Sequence, residues 1–591
     1  MIILGIYDGH NSGATLIKNG KILKSVEEER FSRKKNHDGR LLQNQGPVES
    51  IKFCTKGYIN KIDTISLAIE KPENLKNNSL KSFFSSILDK NFNKRFKTKK
   101  IKNKIFNFKK LLNYPLNTQQ TRLRKILRTL KKNKINIKNI EIKYCNHHLA
   151  HIASAYYPSP FSKAIIISLD GKGDDLCGMI ALGNKNKIKI LKKINYIHSI
   201  GHFYSAMTVV CGFRAIKDEG KVTGLSARGK INFSLLKKFQ SLIKVTEDGG
   251  LYSLMNKDLY LGPYPHTLFG NNIKKLKKIT KGIHKYDICR TVQFFTEKII
   301  LKLVNFYQKK YKINNLCVSG GIFANVLINK KLYESKFTKN LYVHPAMTDA
   351  GLATGSSLFH YFEKNQRKKR IFNNNIYLGP ETSHQSELIR LLKKNNLTFY
   401  KPKKIEKEIA FLLSKGKVIA RYCSSMEYGP RALGNRSILT NAQDINVNEW
   451  LNKKLQRSKS MPFAPVVLDK FAKKYFKNYD GVKYCTKFMT IALKVKRNIK
   501  KIFPGVVHID GTARPQILRE KDNPKLYEIM RYYLKFSGHS CLLNTSFNLH
   551  DEPIVNTYLD AIKSFKLSQL DYMQCENLLV TNNNRFINKT N

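Results

Sequence analysis

The sequence predicts an α/β protein of two domains. The 591-residue length is enough for two or more substantial cores. Short apolar strands ending in glycine-containing turns recur through the first 360 or so residues. A polar stretch then precedes a second run of α/β pattern, and it includes Gln366-Arg367-Lys368-Lys369-Arg370 and Asn373-Asn374-Asn375. The expected units are therefore 1–362, a linker at 363–375, and 376–591.

The first strand runs from Ile2 to Tyr7 and meets Asp8-Gly9-His10-Asn11-Ser12-Gly13. With no basic segment before it, it reads as a strand and not a signal peptide. Ala14 to Ile17 and Lys21 to Val26 flank Asn19-Gly20 and form a hairpin. Strand, glycine turn and strand is how actin-like ATPases hold a phosphate. Comparable units occur at Ile165 to Leu169 with Asp170-Gly171, and at Asn315 to Val318 with Ser319-Gly320-Gly321-Ile322-Phe323-Ala324-Asn325 leading into a helix. Glycines let backbone N–H groups approach an anion, and a helix N-terminus favours negative charge. No internal repeat of fixed period is visible.

Asn146-His147-His148-Leu149-Ala150-His151-Ile152-Ala153-Ser154-Ala155 reads as a helix stopped by Pro158 and Pro160. His147 and His151 are four residues apart and share a face, so both imidazoles can reach one ion. Acidic turns follow at Asp170-Gly171-Lys172-Gly173-Asp174-Asp175 and, far downstream, within Val343 to Gly351. Two neutral imidazoles with one or two carboxylates suit a hard-to-borderline divalent cation, Fe(II), Mn or Zn. The alternative is a solvated histidine pair.

Apolar residues make up 42% and charged residues 25%, both ordinary for a globular chain. No apolar run approaches the ~18 residues of a membrane span. The ten cysteines are scattered without a C-x-x-C pair, which points to reduced, buried thiols and a cytoplasmic location. The formal charge of +65 is spread along the whole chain. A denser basic stretch, Lys90 to Lys138, lies within an insertion at about 75–140. Its Phe, Ile and Leu spacing predicts a solvated helical insertion with an apolar underside, not a polyanion-binding arm. Nucleic acid is therefore not expected as a partner. Residues 582–591 read as a frayed tail.

In the second unit, Glu427-Tyr428-Gly429-Pro430-Arg431-Ala432-Leu433-Gly434-Asn435-Arg436-Ser437 sets two arginines in a Gly/Pro-bounded turn. Arg457 precedes Pro462-Phe463-Ala464-Pro465, and Arg514 sits in His508-Ile509-Asp510-Gly511-Thr512-Ala513-Arg514-Pro515-Gln516. Leu543-Asn544-Thr545-Ser546-Phe547-Asn548 ends an apolar strand in amides and hydroxyls. Guanidinium groups bind phosphate or carboxylate in bidentate fashion, so these strings predict a pocket for a phosphorylated or nucleotide ligand.

Together these strings resemble the O-carbamoyltransferase family, to which the nodulation protein NodU and the tobramycin and cephalosporin carbamoyltransferases belong. The matching segments span nearly the whole chain in order. They include Asp8 to Gly13, Glu28-Glu29-Arg30-Phe31-Ser32-Arg33-Lys34-Lys35, His147 to Ala155, Gly201-His202-Phe203-Tyr204-Ser205, Glu219-Gly220-Lys221 and the C-terminal strings. The resemblance implies an actin-like (ASKHA) N-terminal domain similar to tRNA threonylcarbamoyl transferases, and a YrdC-like C-terminal domain that makes acyl-adenylates. It implies carbamoyl-adenylate formation from carbamoyl phosphate and Mg-ATP in the C-terminal domain. Metal-assisted transfer to a hydroxyl of a small-molecule or glycan acceptor then follows in the N-terminal domain.

It also implies His147, His151, Asp170 and Asp349 as metal ligands. His10 is implied as a general base or hydrogen-bond partner of the acceptor hydroxyl, with Lys35 as a phosphate contact. Ser12, Gly13, Gly171, Lys221, Gly320, Gly321 and Asn325 are implied for the nucleotide. Arg431, Arg436, Arg457, Arg514, Asn544 and Ser546 are implied for carbamoyl phosphate and ATP. Leu455, Ser458 and Met461 depart from the residues of many relatives, as does Leu549-His550. Arg457, Lys459 or His550 are the compensating candidates. Two alternatives remain, a tRNA-modifying threonylcarbamoyl-type transferase and a non-catalytic nucleotide- or metal-binding partner. A homodimer is left open for the assembly.

Overall fold

Two sheets with the same strand order build the N-terminal half. The computed structural model describes residues 1–41, 45–71, 120–255, 267–372, 375–381, 384–456 and 463–582. In the first sheet the order is Lys21–Glu27, Gly13–Lys18, Ile2–Tyr7, Thr64–Leu67, Glu141–Tyr144. The first three strands pair antiparallel and the last two join in parallel. The second sheet repeats this plan with Lys187–Asn195, Leu176–Asn184, Lys163–Gly173, Asn315–Ser319 and Asn340–Val343. The half is thus a duplicated unit of the actin-like kind, although no sequence repeat announces it.

Local chemistry sets the elements. Asn19 and Gly20 both take positive φ, 50° and 79°, as a tight hairpin turn requires. The helix His147–Tyr156 begins where the Asn146 side chain accepts from the N–H groups of His148 and Leu149. The central strands are apolar on both faces; Ile165, Ile166 and Ile167 are fully buried, each worth about 1.5–3 kcal/mol of burial. The helix His147–Tyr156 lies on the second sheet and the helix Leu352–Lys364 on the first, and the two helices pack against each other between the sheets. That contact needs Gly355, because a Cβ there would overlap the Ala150 carbonyl.

The C-terminal half is an eight-stranded mixed sheet. Its order is Thr398–Tyr400, Leu578–Thr581, Tyr572–Cys575, Ile419–Tyr422, Arg436–Asn441, Cys541–Ser546, Ala464–Leu468, Gln516–Leu518. The helices Ile405–Ser414 and Pro524–Ser537 pack together over Leu439, Val466 and Leu542 on one face. On the other side one hydrophobic cluster runs unbroken from Ile165 and Val318 of the N-terminal half to Ile491 and Leu543. The halves therefore share a core. Side-chain bonds to the backbone reinforce the seam: Asn329 Nδ2 donates to the Thr490 carbonyl (2.7 Å) and Cys485 Sγ to the Leu341 carbonyl (3.2 Å).

Most of the basic insertion, 72–119, lies outside the described residues, as do parts of the linker (373–374) and the tail from 583. The insertion returns as a helix at 120–132 that buries Ile126 and Leu130 against the first sheet, an apolar underside in this portion. All ten cysteines are buried and free. Among the described residues no helix is long and apolar enough to cross a membrane.

Candidate active site

Four expected ligands meet where the two sheets of the N-terminal half face each other. One donor atom each from His147, His151, Asp170 and Asp349 lies within 4.8 Å of the other three. The helix His147–Tyr156 presents both imidazoles, Asp170 comes from the strand Lys163–Gly173, and Asp349 opens the turn Asp349–Gly351. Asp349 Oδ1 is 3.5 Å from both His147 Nε2 and His151 Nε2, and Asp170 Oδ2 is 3.4 Å from His151 Nε2. Both Nε2 atoms are buried, and apart from these long carboxylate contacts neither has a hydrogen-bond partner.

The surroundings orient these groups. Ser154 Oγ donates to the His151 carbonyl (2.8 Å) and Ser319 Oγ to the Met347 carbonyl (3.2 Å). Ser319 Oγ is then the acceptor for His151 Nδ1–H at 3.1 Å, which turns Nε2 toward the carboxylates. Asp170 accepts from the N–H groups of Gly171 (2.7 Å) and Gly321 (3.1 Å). Asp349 Oδ2 accepts from the Tyr7 hydroxyl (2.8 Å), and the His147 backbone N–H is fixed by Asp174 (2.8 Å).

Burial alone lowers the His151 pKa, but the hydrogen bonds and charges of Asp170 and Asp349 push it to about 9. Burial raises both aspartates, and His151 overcomes it, so both are held below the usual carboxylate range. A buried cluster that demands positive charge between two carboxylates, with two imidazole nitrogens unpartnered, fits a divalent cation.

The other predicted residues of this half are placed as follows. His10 is half-buried beside Asp8, whose carboxylate receives Nε and Nη2 of Arg122 (3.1 and 2.5 Å). His10 is close enough for its charge to act on Asp349. Lys35 is exposed, and its charge acts on Asp551 across the seam. The Ser12 N–H and hydroxyl both donate to the His37 carbonyl, and Gly13 pairs with Glu27 within the first sheet. Gly320 N–H donates to the Met347 carbonyl. Lys221 Nζ pairs with Asp218 at 3.1 Å. The Asn325 side-chain Oδ1 caps the helix Val326–Tyr333, while its Nδ2 donates to Gln293 (2.8 Å) and Thr223 (3.1 Å).

In the C-terminal half the two arginines of the Gly-Pro turn differ. Arg436 is fully buried, lies over the Tyr422 ring at 3.8 Å, and donates to the carbonyls of Cys423, Asn435 and Ser424. Among the described residues Arg431 and Arg514 make no such bonds; both are half-buried, and the Nε of each is buried and unpartnered. Burial pulls Arg431 down to about 10, and burial together with the Arg431 charge holds Arg514 well below its ordinary value. Asn544 donates to Gln516 Oε1 (2.7 Å) and to the carbonyl of Ala432 (3.3 Å), leaving its own Oδ1 buried and unpartnered. Ser546 sits opposite Ser437 in the sheet. Glu427 Oε1 closes the turn by accepting from the N–H groups of Leu433, Asn435 and Arg436. Two half-buried guanidinium groups with no carboxylate partner among the described residues, together with the free Asn544 Oδ1, suit an anion. Arg457, Ser458, Lys459 and Met461 lie outside the described residues, and Leu455 is buried.

Two family models cover the chain. Residues 2–358 match the model described as the carbamoyltransferase N-terminus, and residues 410–582 match the carbamoyltransferase C-terminus.

The chain belongs to the carbamoyltransferase family.

Relatives of this carbamoyltransferase include an uncharacterized protein of Methanocaldococcus jannaschii, MJ1051, 34% identical over 98% of this chain and 99% of its own. The nodulation protein NolO of Bradyrhizobium diazoefficiens is 30% identical over 72% of this chain and 77% of its own. Nodulation protein U of Azorhizobium caulinodans is 26% identical over 68% and 71% respectively. Several supporting residues of the carbamoyltransferase site escaped the sequence reading: Tyr7, Ser319, Glu427 and Tyr428 stand inside or beside recognised strings, but their roles are contacts to distant segments. His344 is another, packed edge-on to Tyr428 with ring centroids 6.2 Å apart.

His344 supplies a pH prediction. Burial pushes its pKa down to about 4, partly opposed by a backbone contact with Ala346. The unfolded chain has an ordinary histidine near 6.5. The stability from keeping this ring neutral is therefore complete above pH 6.5 and is lost as pH falls toward 4, on the order of 3 kcal/mol. His148 and His202 are also lowered to about 4 and share the acid limb. The difference in melting temperature between the wild type and His344→Phe should narrow by several degrees from pH 7.5 to 4.5. A constant difference would contradict the burial cost.

Proposed function

We propose that this carbamoyltransferase makes carbamoyl-adenylate in its C-terminal half and passes the carbamoyl group to an acceptor hydroxyl in its N-terminal half. The observation that carries the first stage is the unpartnered pair Arg431 and Arg514. Neither has a carboxylate partner among the described residues and the Nε of each is buried and unpartnered, so the pocket gains most from an anion that supplies two or more oxygens. Carbamoyl phosphate and the phosphates of ATP are such anions. Carbamoyl phosphate, water and ATP balance to carbamoyl-adenylate, phosphate and pyrophosphate. Asn544 Oδ1 is an acceptor suited to the carbamoyl NH2 group.

For the second stage, His147, His151, Asp170 and Asp349 would hold an Fe(II), Mn or Zn ion, which when bound supplies Lewis acidity toward phosphate or carbonyl oxygens. His10 takes the proton of the acceptor hydroxyl, and Asp8, fixed by Arg122, orients the turn that carries it. The Ser319-Gly320-Gly321 turn stands against Asp170, to which Gly321 donates its N–H, and would border the adenylate. A hydroxyl on a small-molecule or glycan acceptor is what the family resemblance implies for this stage. The free, buried thiols suit a reducing cytoplasmic setting.

Pyrophosphate release from ATP by purified protein with Fe(II) or Mn(II), with and without carbamoyl phosphate, tests the reading. Release that depends on carbamoyl phosphate is expected. Its absence in protein that binds ATP and metal would overturn the C-terminal half-reaction.

A further inference from the structure

The turn that carries Arg431 is built by both halves of the chain. Within its own half, Glu427 closes it from inside, as described. Across the seam, both peptide groups of Gly429 are held by side chains of the N-terminal half. The Gly429 N–H donates to Glu27 Oε1 at 3.1 Å, and Arg30 Nη2 donates to the Gly429 carbonyl at 2.9 Å. Arg30 is itself fixed by Glu29 at 2.9 Å, and Glu27, Glu29 and Arg30 are all buried. Gly429 has φ +103°, a conformation that L side chains rarely adopt, and it lies against the Pro345 carbonyl.

A second tie sits one residue earlier. The Tyr428 hydroxyl enters the N-terminal half, donating to the Ala350 carbonyl at 2.5 Å and meeting Thr354 Oγ1 at 3.0 Å. Thr354 continues to Thr15 at 2.9 Å and Thr15 to Ser25 at 2.6 Å, all buried. Ala350 follows Asp349, so this bond also abuts the cation cluster. Among the described residues no hydrogen bond sets the position of the Arg431 guanidinium, and Gly429 is two residues before it. The clamps on Tyr428 and Gly429 therefore decide where its guanidinium points.

We infer that Glu27 and Arg30 are positioning residues for the anion site of the other half, holding Gly429 so that Arg431 stands beside Arg514. The inference deepens the proposed carbamoyl-phosphate site and rests on that reading for its substrate, but not for its geometry. A buried charge cluster of this kind would otherwise be mere interface adhesive, and Arg33 provides the comparison. Its Nη1 and Nη2 donate to the carbonyls of Ile554 and Pro553 (2.7 and 2.8 Å), and its Nε pairs with Asp560 at 3.3 Å. It grips the same partner half without touching the 427–436 turn.

Arg30→Met, Arg30→Lys and Arg33→Ala should be compared in the full chain. The readouts are inorganic phosphate binding, by thermal shift and calorimetry, and the KM for carbamoyl phosphate in pyrophosphate release. Arg30→Met is expected to weaken phosphate binding and raise that KM roughly ten- to a hundredfold, with a smaller change in kcat, because displacing a binding group by about an ångström has effects of this size. Arg30→Lys, which keeps one donor for the Gly429 carbonyl, should recover much of the loss. Arg33→Ala should lower the melting temperature yet leave phosphate affinity near wild type. If Arg30→Met does not fold, Tyr428→Phe removes only a hydroxyl from the same turn and should raise the KM in the same direction. Phosphate affinities that are equal in the Arg30 or Tyr428 variant and in Arg33→Ala would overturn the inference. Absence of pyrophosphate release in the wild type would instead defeat the substrate reading, while the phosphate affinities would still decide the positioning role.

Discussion

Asp349→Asn is expected to lower carbamoyl transfer roughly a hundred- to a thousandfold, the several kcal/mol typical of lost metal assistance, while pyrophosphate release persists. One oxygen of Asp349 stands 3.5 Å from both unpartnered imidazole nitrogens, and the other accepts from Tyr7 at 2.8 Å. Asparagine preserves the shape but removes one of the two negative charges that favour a cation there, and turns an acceptor toward becoming a donor. Bound metal after gel filtration, measured by elemental analysis, should drop with transfer. The anion site of the C-terminal half contains no part of this cluster, so its half-reaction should continue. Equal loss of both half-reactions would mean that the cluster serves the whole fold or that the stages are not divided between the halves. Retained metal and retained transfer would remove Asp349 from the site.

Arg514→Met should make the ligand-free protein more stable and the liganded protein less so. Arg514 and Arg431 are half-buried with no carboxylate partner among the described residues, and the Arg431 charge pushes against the ionised form of Arg514. Replacing one by an apolar chain of similar length removes that repulsion and should add about 1–3 kcal/mol of stability, the range seen when buried charges give way to hydrophobic residues. Phosphate or carbamoyl phosphate then meets half of its cationic partners. The affinity should fall by about 2–5 kcal/mol, as for other truncated charge pairs. Melting curves with and without phosphate are the measurement. The expected result is a higher midpoint without ligand and almost no ligand-induced rise. A lower midpoint without ligand would show that the guanidinium is compensated in a way the geometry does not reveal. Arg436→Met makes the contrast. This arginine satisfies three carbonyls and covers Tyr422, so its loss should destabilise the protein with or without ligand.

The amino-acid sequence by itself determined the features that short-range physics controls. The Asn19-Gly20 hairpin follows from two residues that tolerate positive φ, and the start of the His147–Tyr156 helix follows from Asn146 as its cap. The spacing of His147 and His151 placed both rings on one face, and the Gly/Pro-bounded arginines marked the anion turn. What only the tertiary structure decided is which distant segments meet. The duplicated strand order depends on parallel pairs such as Ile2–Tyr7 with Thr64–Leu67 and Lys163–Gly173 with Asn315–Ser319, whose partners lie far apart in the chain. Asp170 and Asp349 came to the histidines by resemblance, and only the packing of the two sheets puts them on one ion-sized space. The fold also separated residues that look alike in sequence. Arg431 and Arg436 share one string, yet Arg436 donates to three backbone carbonyls and Arg431, among the described residues, to none. Arg30 reads as one more charge in a charged run until Gly429, 399 residues away, is seen to accept its hydrogen bond. A side chain is available to a ligand only when the protein's own donors and acceptors leave it unsatisfied, and that balance is settled by three-dimensional neighbours, not by the local string.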